Sequence, residues 1–217
     1  MREPVSFAAI VVLGYLLGSC PWGYWVVRIF RGEDVRRAGS GSIGASNVWR
    51  TYGRWYGVPV LLLDIAKGFV PALVLSLTVS PLAGVLAGAG AMAGHARPLF
   101  LGFEKGGKMV ATTGGAFLGV APLVGAIALG VWVLAFLTTR YASVASMLSA
   151  LSLPVAAALL GYDWPVILFG LLGAAGVVFL HRANIRRLLR REENRFVLLR
   201  KRGPREPRTP PPGVRTP

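Results

Sequence analysis

Residues 39–47 read GSGSIGASN and are followed by Arg50. Glycines lacking a Cβ let successive backbone N–H groups converge on one concavity, and Ser40, Ser42 and Ser46 add hydroxyls. Arg50 supplies a planar cation that can grip two oxygens at once. The pattern suits a phosphate-binding loop, with Gly39, Gly41, Gly44 and Asn47 as candidate substrate-binding residues. It contains a formal GxGxxG, but that fingerprint carries weight only between a strand and a helix of a βαβ unit, and apolar helical segments flank it here. A second candidate is Lys105-Gly106-Gly107-Lys108, two ammonium groups around two glycines where an apolar helix begins. Such a helix start is a ready anion site. His95 and Arg97 stand shortly before it. The third is His181-Arg182-Ala183-Asn184, in which His181 and Asn184 share one helix face. Arg140-Tyr141-Ala142-Ser143 brings one more cation and the Ser143 hydroxyl to the start of another apolar segment. Asp64 and Lys67 share a face inside an apolar segment, either as a functional pair or as one that fixes the rotation of its helix. The sequence holds no Ser–His–Asp signature, metal-ligand cluster or cofactor motif, so it implies no metal and no cofactor. It implies a substrate that is already activated.

The elements that must position these groups belong to a membrane. Of 217 residues, 54% are apolar and 15% charged, where a soluble domain carries about a quarter charged. Residues 69–94 and 109–139 contain no charge at all. About 20 apolar residues per helix cross a bilayer. Seven such segments can be drawn, at 5–27, 58–79, 81–97, 109–121, 122–139, 141–160 and 164–181. The expected fold class is therefore an all-α integral membrane protein with seven transmembrane helices. The fourth segment is short for a crossing, which predicts a tilted or protein-covered helix. The pairs Gly84/Gly88, Gly90/Gly94 and Gly115/Gly119 predict close helix contacts.

The net charge, 24 − 9 = +15, would suggest nucleic acid on a soluble protein. Here its distribution points to topology and anionic lipid instead. With alternating crossings, Arg28–Arg54, Arg97, Lys105, Lys108, Arg140 and everything from Arg182 onward fall on one side, while only Arg2 falls on the other. Positive charge stays inside, so the N-terminus is expected outside, the C-terminus in the cytoplasm, and all three anion motifs on the cytoplasmic face. Residues 1–200 read as one transmembrane domain, and the Pro/Arg-rich stretch 201–217 as a basic tail expected to be disordered. Leu17-Gly18-Ser19-Cys20 has the form of a lipoprotein cleavage site, but the residues after Cys20 stay apolar, against that reading.

The motifs together resemble those of the bacterial acyl-phosphate:glycerol-3-phosphate acyltransferases. GSGSIGASN (39–47) with Arg50 is similar to the family's glycine-rich motif, usually GSGNIGATN. GHARPLFLGFEKGGKMVAT (94–112) resembles its second motif and HRANIRRLL (181–189) its third. LLLDIAKGF (61–69) and RYASVAS (140–146) are similar to further family stretches. The resemblance implies seven transmembrane helices in the bacterial cell (inner) membrane, a site facing the cytoplasm, and no cofactor. It implies transfer of a fatty acyl group from acyl phosphate to the 1-hydroxyl of glycerol 3-phosphate, in phospholipid synthesis. It also implies that Ser40, Arg50, Lys108, His181 and Asn184 act on the reacting groups. Substrate binding would fall to Gly39, Gly41, Gly44, Asn47, His95, Lys105, Gly106, Gly107 and Ser143. The expected partners are these two substrates and membrane lipids, with no nucleic acid, and the protein is expected to be a monomer. An anion transporter would favour inverted repeats and broken helices at the midplane, which the sequence lacks. A different acceptor alcohol stays open. Four departures stand out: an additional Glu104, Met109 and Arg191 where the family has glycine, and Ser42 for the common Asn. Glu193 keeps an acidic position.

Overall fold

A computed structural model describes residues 6–196. Arg2, the boundary at residue 200 and the tail 201–217 lie outside the described residues. Those described form helices and connecting turns with no strand among them. The first apolar segment is broken. Helix α1 (Phe7–Gly18) and helix α2 (Trp22–Arg31) part at Ser19–Pro21, where proline lacks the N–H a continuing helix needs. Helix α2 stops at Gly32, whose left-handed φ of 68° suits glycine. Helix α3 (Ala45–Tyr52) follows the serine-glycine loop, and Gly53 separates it from the long α4 (Arg54–Thr78). Helix α5 (Pro81–Ala96) opens with Pro81 in its first turn, while the Ser80 hydroxyl accepts the Ala83 N–H at 3.2 Å. Then come α6 (Val110–Val120), α7 (Pro122–Thr139), α8 (Ala142–Leu159), α9 (Trp164–Leu180) and α10 (Arg182–Leu189).

Among the described residues, four stretches are long and apolar enough to cross a bilayer: Phe7–Arg31, α4, α7 and α8. Helices α9 and α10 make a fifth if their 56° bend is allowed. The 11 residues of α6 reach only about 17 Å at 1.5 Å per residue, against a hydrocarbon core of about 30 Å. Its neighbours cover it accordingly. Thr112, Thr113, Gly115, Ala116, Phe117 and Gly119 are all buried.

Lipid gives apolar side chains no reason to turn inward, so small residues make the contacts. Gly14 and Gly18 of α1 lie on Ala87 and Ala91 of α5, and Gly90 and Gly94 lie on the α1 backbone. A Cβ at any of the four would overlap main chain. Gly115 and Gly119 bring α6 onto α4 in the same way. Large residues fill the remaining interior: Phe117 stacks on Phe169 with ring centroids 4.7 Å apart, within a cluster that includes Met92, Leu153 and Val177. Other large apolar residues face out, among them Leu134 at 67% exposure and Leu172 at 63%. The first halves of α4, α6 and α8, the last turns of α5 and α9, and α3 and α10 meet around one cavity.

Candidate active site

The cavity, about 250 Å³, has two chemically distinct walls. One carries Ser40, Ser42, Gly44, Asn47, Arg50, His95, Lys108, Ser143, His181, Asn184 and Glu193. The other is an apolar groove of Leu61, Ile65, Leu118, Ala128, Leu129, Trp132, Ala150 and Leu153 between α4, α6, α7 and α8. A larger depression, about 570 Å³, is lined by Tyr24, Arg28, Arg37 and Tyr52. It is open to solvent and holds none of the expected site residues.

A hydrogen-bond network built from distant parts of the chain orders the polar wall. Lys108 Nζ donates to Asn184 Oδ1 at 2.7 Å, and Asn184 Nδ2 donates to Glu193 Oε1 at 2.6 Å. The same carboxylate oxygen accepts from Ser143 Oγ at 2.9 Å, while Oε2 accepts from Arg187 Nε at 2.7 Å. Glu193 thus fixes which way the Asn184 amide points, and its carbonyl must face Lys108. These bonds hold the Glu193 carboxyl below the usual range, against the burial that would raise it. Glu193 sits on a segment that folds back across α8, where the Phe196 N–H donates to Arg140 O at 2.8 Å. The Phe196 ring packs on Trp49 and Phe136.

Burial lowers the Lys108 ammonium from its ordinary 10.5 to about 8, with Glu193 opposing the fall and Arg50 and Arg187 adding to it. His181 caps α9, 3% exposed, and its Nδ1 lies 2.8 Å from Val177 O. A carbonyl oxygen can only accept, so Nδ1 carries the proton and Nε2 keeps a lone pair. Lys108, Arg50 and Arg187 thus gather around Glu193, while the other carboxylate on the cavity wall, Asp64, is paired with Lys67, so the arrangement suits an anion.

The glycine-rich loop is built differently from the expectation. Its N–H groups at Ser40, Gly41 and Gly44 are consumed within the loop, by Asn47 Oδ1, Ala38 O and Ser42 Oγ. Asn47 is the staple. Its Nδ2 also donates to Ala38 O at 3.1 Å and Ser42 O at 2.8 Å, so its polar atoms are spent on the loop, although it borders the cavity. Gly39 and Gly41 turn the chain with φ of 58° and 69° and do not line the cavity; a Cβ at Gly39 would strike Asn47 Oδ1. The loop therefore offers side chains, with Arg50, Ser42 and Ser46 lining the cavity and the Ser40 Oγ buried without a partner. In the second motif, Lys108 enters the cavity but Lys105 is exposed and does not line it. Gly106 and Gly107 are likewise not in the lining; they pack under the end of α5. Glu104 is turned outward, 64% exposed, with its carboxylate 2.5 Å from the Arg36 guanidinium. Its charge does not face Lys108.

A family model described as glycerol-3-phosphate acyltransferase matches residues 8–191. A glycerol-3-phosphate acyltransferase of Desulforudis audaxviator (strain MP104C) is 45% identical over 193 residues, covering 88% of this chain and 97% of the relative. That of Synechococcus sp. (strain JA-3-3Ab) is 47% identical over 183 residues, 84% of this chain and 90% of its own. The chain belongs to the glycerol-3-phosphate acyltransferase family. The crystal structure of an integral membrane glycerol 3-phosphate acyltransferase, in its glycerol 3-phosphate form, superposes with a TM-score of 0.84 at 38% identity. It matches 88% of this chain and 96% of that one.

Two departures from the acyltransferase motifs now have a backbone meaning. Met109 and Arg191, which replace glycines, both sit in the left-handed region, with φ of 65° and 59°. Glycine enters that region freely, whereas other residues cost about 1–2 kcal/mol there. Met109 offsets the cost by burial, its Cε lying against Gly176 of α9. Arg191 is exposed and has no such return. The residue that sequence reasoning left without a role is Glu193. Its only signal was an acidic position retained beyond an arginine-rich helix.

Proposed function

We propose that this protein transfers a fatty acyl group from acyl phosphate to the 1-hydroxyl of glycerol 3-phosphate, giving lysophosphatidic acid and inorganic phosphate. The observation that carries the reading is one cavity with two walls. A cationic, hydroxyl-rich end made by Ser40, Arg50, Lys108, Ser143, His181 and Asn184 meets an apolar groove whose lining suits an acyl chain. Two solved relatives, a glycerol 3-phosphate form and a lysophosphatidic acid form, support the acceptor and the product of this reaction. The second matches with a TM-score of 0.81 at 36% identity.

The donor is a mixed anhydride, so the protein has mainly to position and neutralise. Lys108, Arg50 and the Ser40 hydroxyl hold the two phosphates. Ser143, His181 and Asn184 orient the glycerol backbone, with His181 Nε2 accepting from a hydroxyl. The hydroxyl oxygen attacks the acyl carbonyl carbon, and the bond from that carbon to the bridging oxygen breaks with its electron pair leaving on phosphate. The proton passes to a phosphate oxygen. His181, its Nδ1 turned to Val177 O, serves to orient the hydroxyl through Nε2. No cofactor is needed, because the donor already carries the driving force, and one chain supplies every group, which supports a monomer.

The basic loops support seven crossings with the N-terminus outside and the site facing the cytoplasm of a bacterial inner membrane. The acyl chain then enters sideways from the inner leaflet. Residues 1–200 act as one domain in this reading.

The test is purified protein in a lipidic phase with palmitoyl phosphate and glycerol 3-phosphate, followed by inorganic phosphate release. Glycerol 3-phosphate-dependent release is expected. Lys108→Ala should reduce it about 100- to 1,000-fold, the scale of removing one preorganised donor, while Lys105→Ala stays within about threefold of wild type because that residue lies outside the cavity. No release from folded protein refutes the transfer, and equal loss in both variants refutes the phosphate contact.

A further inference from the structure

One buried group on the cavity wall has no part in the mechanism above. Asp64 of α4 pairs with Lys67 at 2.8 Å, the two side chains 2% and 4% exposed. A buried ion pair is by itself weak evidence of stabilisation, because desolvation cancels most of the attraction. The two partners, however, face different ways. Lys67 Nζ is committed to Cys20 O at 2.9 Å, at the break between α1 and α2. Asp64 borders the cavity, and its Oδ1 lies 3.5 Å from His95 Nδ1.

That nitrogen is buried and has no hydrogen-bond partner. The separation is a few tenths of an ångström beyond an N–H···O bond, so a small shift of the imidazole toward the carboxylate would close it. The opposite edge of the ring meets the second anion motif, since a Cβ on Gly107 would fall on His95 Nε2. The same loop is laced to the end of α5 by Gly106 N–H to Ala96 O and Gly107 N–H to His95 O, each 3.0 Å. The next residue is Lys108. On the other side, Thr112 Oγ1 donates to Asp64 O at 3.1 Å and fixes α4 against the first turn of α6. A carboxylate, an imidazole, a loop backbone and an ammonium thus stand in contact in that order.

We propose that Asp64 is a positioning residue for the Gly106–Lys108 loop, acting through His95, so that the ion pair inside α4 sets how Lys108 meets the phosphate of glycerol 3-phosphate. The inference rests on the acyl transfer proposed above. It explains why both loop glycines lack side chains and why a carboxylate within a membrane helix lies at the cavity wall, against His95 of α5.

The test compares two paired substitutions that remove both charges together, leaving no uncompensated ion. Asp64→Leu/Lys67→Gln abolishes the acceptor beside His95 and keeps an amide donor for Cys20 O. Asp64→Asn/Lys67→Gln is equally uncharged but keeps a carbonyl for His95. The Leu pair should raise KM for glycerol 3-phosphate about tenfold, the weight of one hydrogen-bond-sized contact, with kcat within about threefold. The Asn pair should return KM to within about threefold of wild type. A merely structural ion pair would instead lower the melting temperature and kcat of both variants alike and leave KM in place, and that result overturns the proposal. Should the Leu pair fail to fold, Asp64→Glu keeps the charge but moves the carboxylate by one methylene. Unchanged KM in folded Asp64→Glu protein also overturns it. Wild-type protein that releases no phosphate refutes the transferase reading itself, whereas active wild type with unaltered variants refutes only the role of Asp64.

Discussion

Replacing Glu193 with glutamine tests the organisation of the polar wall with almost no change of shape. The carboxylate accepts three hydrogen bonds, from Ser143, Asn184 and Arg187, at 2.6–2.9 Å, and its side chain is 4% exposed. Bonds to a charged acceptor contribute about 1.5–3 kcal/mol each and neutral ones about 0.5–1.5. A glutamine keeps its oxygen either toward Ser143 and Asn184, setting its NH2 against the Arg187 N–H, or toward Arg187, setting NH2 against the Asn184 amide. Either way one contact turns repulsive and the others lose their charge. Of that loss, about 2–3 kcal/mol should appear in transition-state binding, through a freed Asn184 amide and a misdirected Lys108. At 1.36 kcal/mol per tenfold, kcat/KM for glycerol 3-phosphate falls about 30- to 150-fold. Glu193 also holds the Lys108 ammonium up, so removing its charge moves the alkaline fall in kcat/KM to lower pH. The assay is phosphate release across pH 6–9.5 on protein whose melting temperature is measured in parallel. A folded Glu193→Gln enzyme within about threefold of wild type, with its alkaline limb unmoved, would refute the reasoning.

Three further outcomes follow from the geometry. Lys108 holds phosphate as an ammonium and burial brings it to about 8, so wild-type kcat/KM should be level below that pH and fall about tenfold per unit above it. Lys108→Arg, charged throughout, should abolish that limb, and a limb that persists assigns it to another group. Ala150, 4% exposed in the groove wall, leaves room that a phenylalanine would fill. Displacing three or four methylenes at about 0.8 kcal/mol each should raise KM for palmitoyl phosphate about 100-fold in Ala150→Phe and leave butanoyl phosphate nearly untouched. Equal effects on both donors would place the chain elsewhere. Finally, Arg191→Gly relieves a left-handed φ at an exposed position and should stabilise by about 0.5–1 kcal/mol after the glycine's greater unfolded freedom is subtracted. Met109→Gly relieves the same strain but forfeits a buried side chain worth about 2–5 kcal/mol, so it should destabilise. Melting temperatures that shift in the same direction would show that burial does not decide between them.

The helical, membrane-embedded class of the chain was legible from sequence because it rests on a local rule. A charge cannot sit in hydrocarbon without a partner, so charge-poor apolar runs mark the membrane helices, and the pair deep inside one of them, Asp64 with Lys67, carries its partner on the same face. The residue types of the three motifs were equally legible, since glycines between cations and hydroxyls have few other uses in one place. What those residues do to each other was not. Lys105 and Lys108 are alike in sequence, and only the path of the chain after Gly107 sends one outward and the other to Asn184, 76 positions away. Asn47 read as a ligand group, and in the structure its amide bonds its own loop, to the Ser40 N–H and the Ala38 and Ser42 carbonyls, partners that only the path of the loop brings to it. Glu193 acquires meaning only when α8 and the segment after α10 bring Ser143 within 2.9 Å across 50 residues. Hydrophobicity and charge are properties of a residue and can be read along the chain. A hydrogen bond is a property of two atoms and their directions, and those were set when the helices packed.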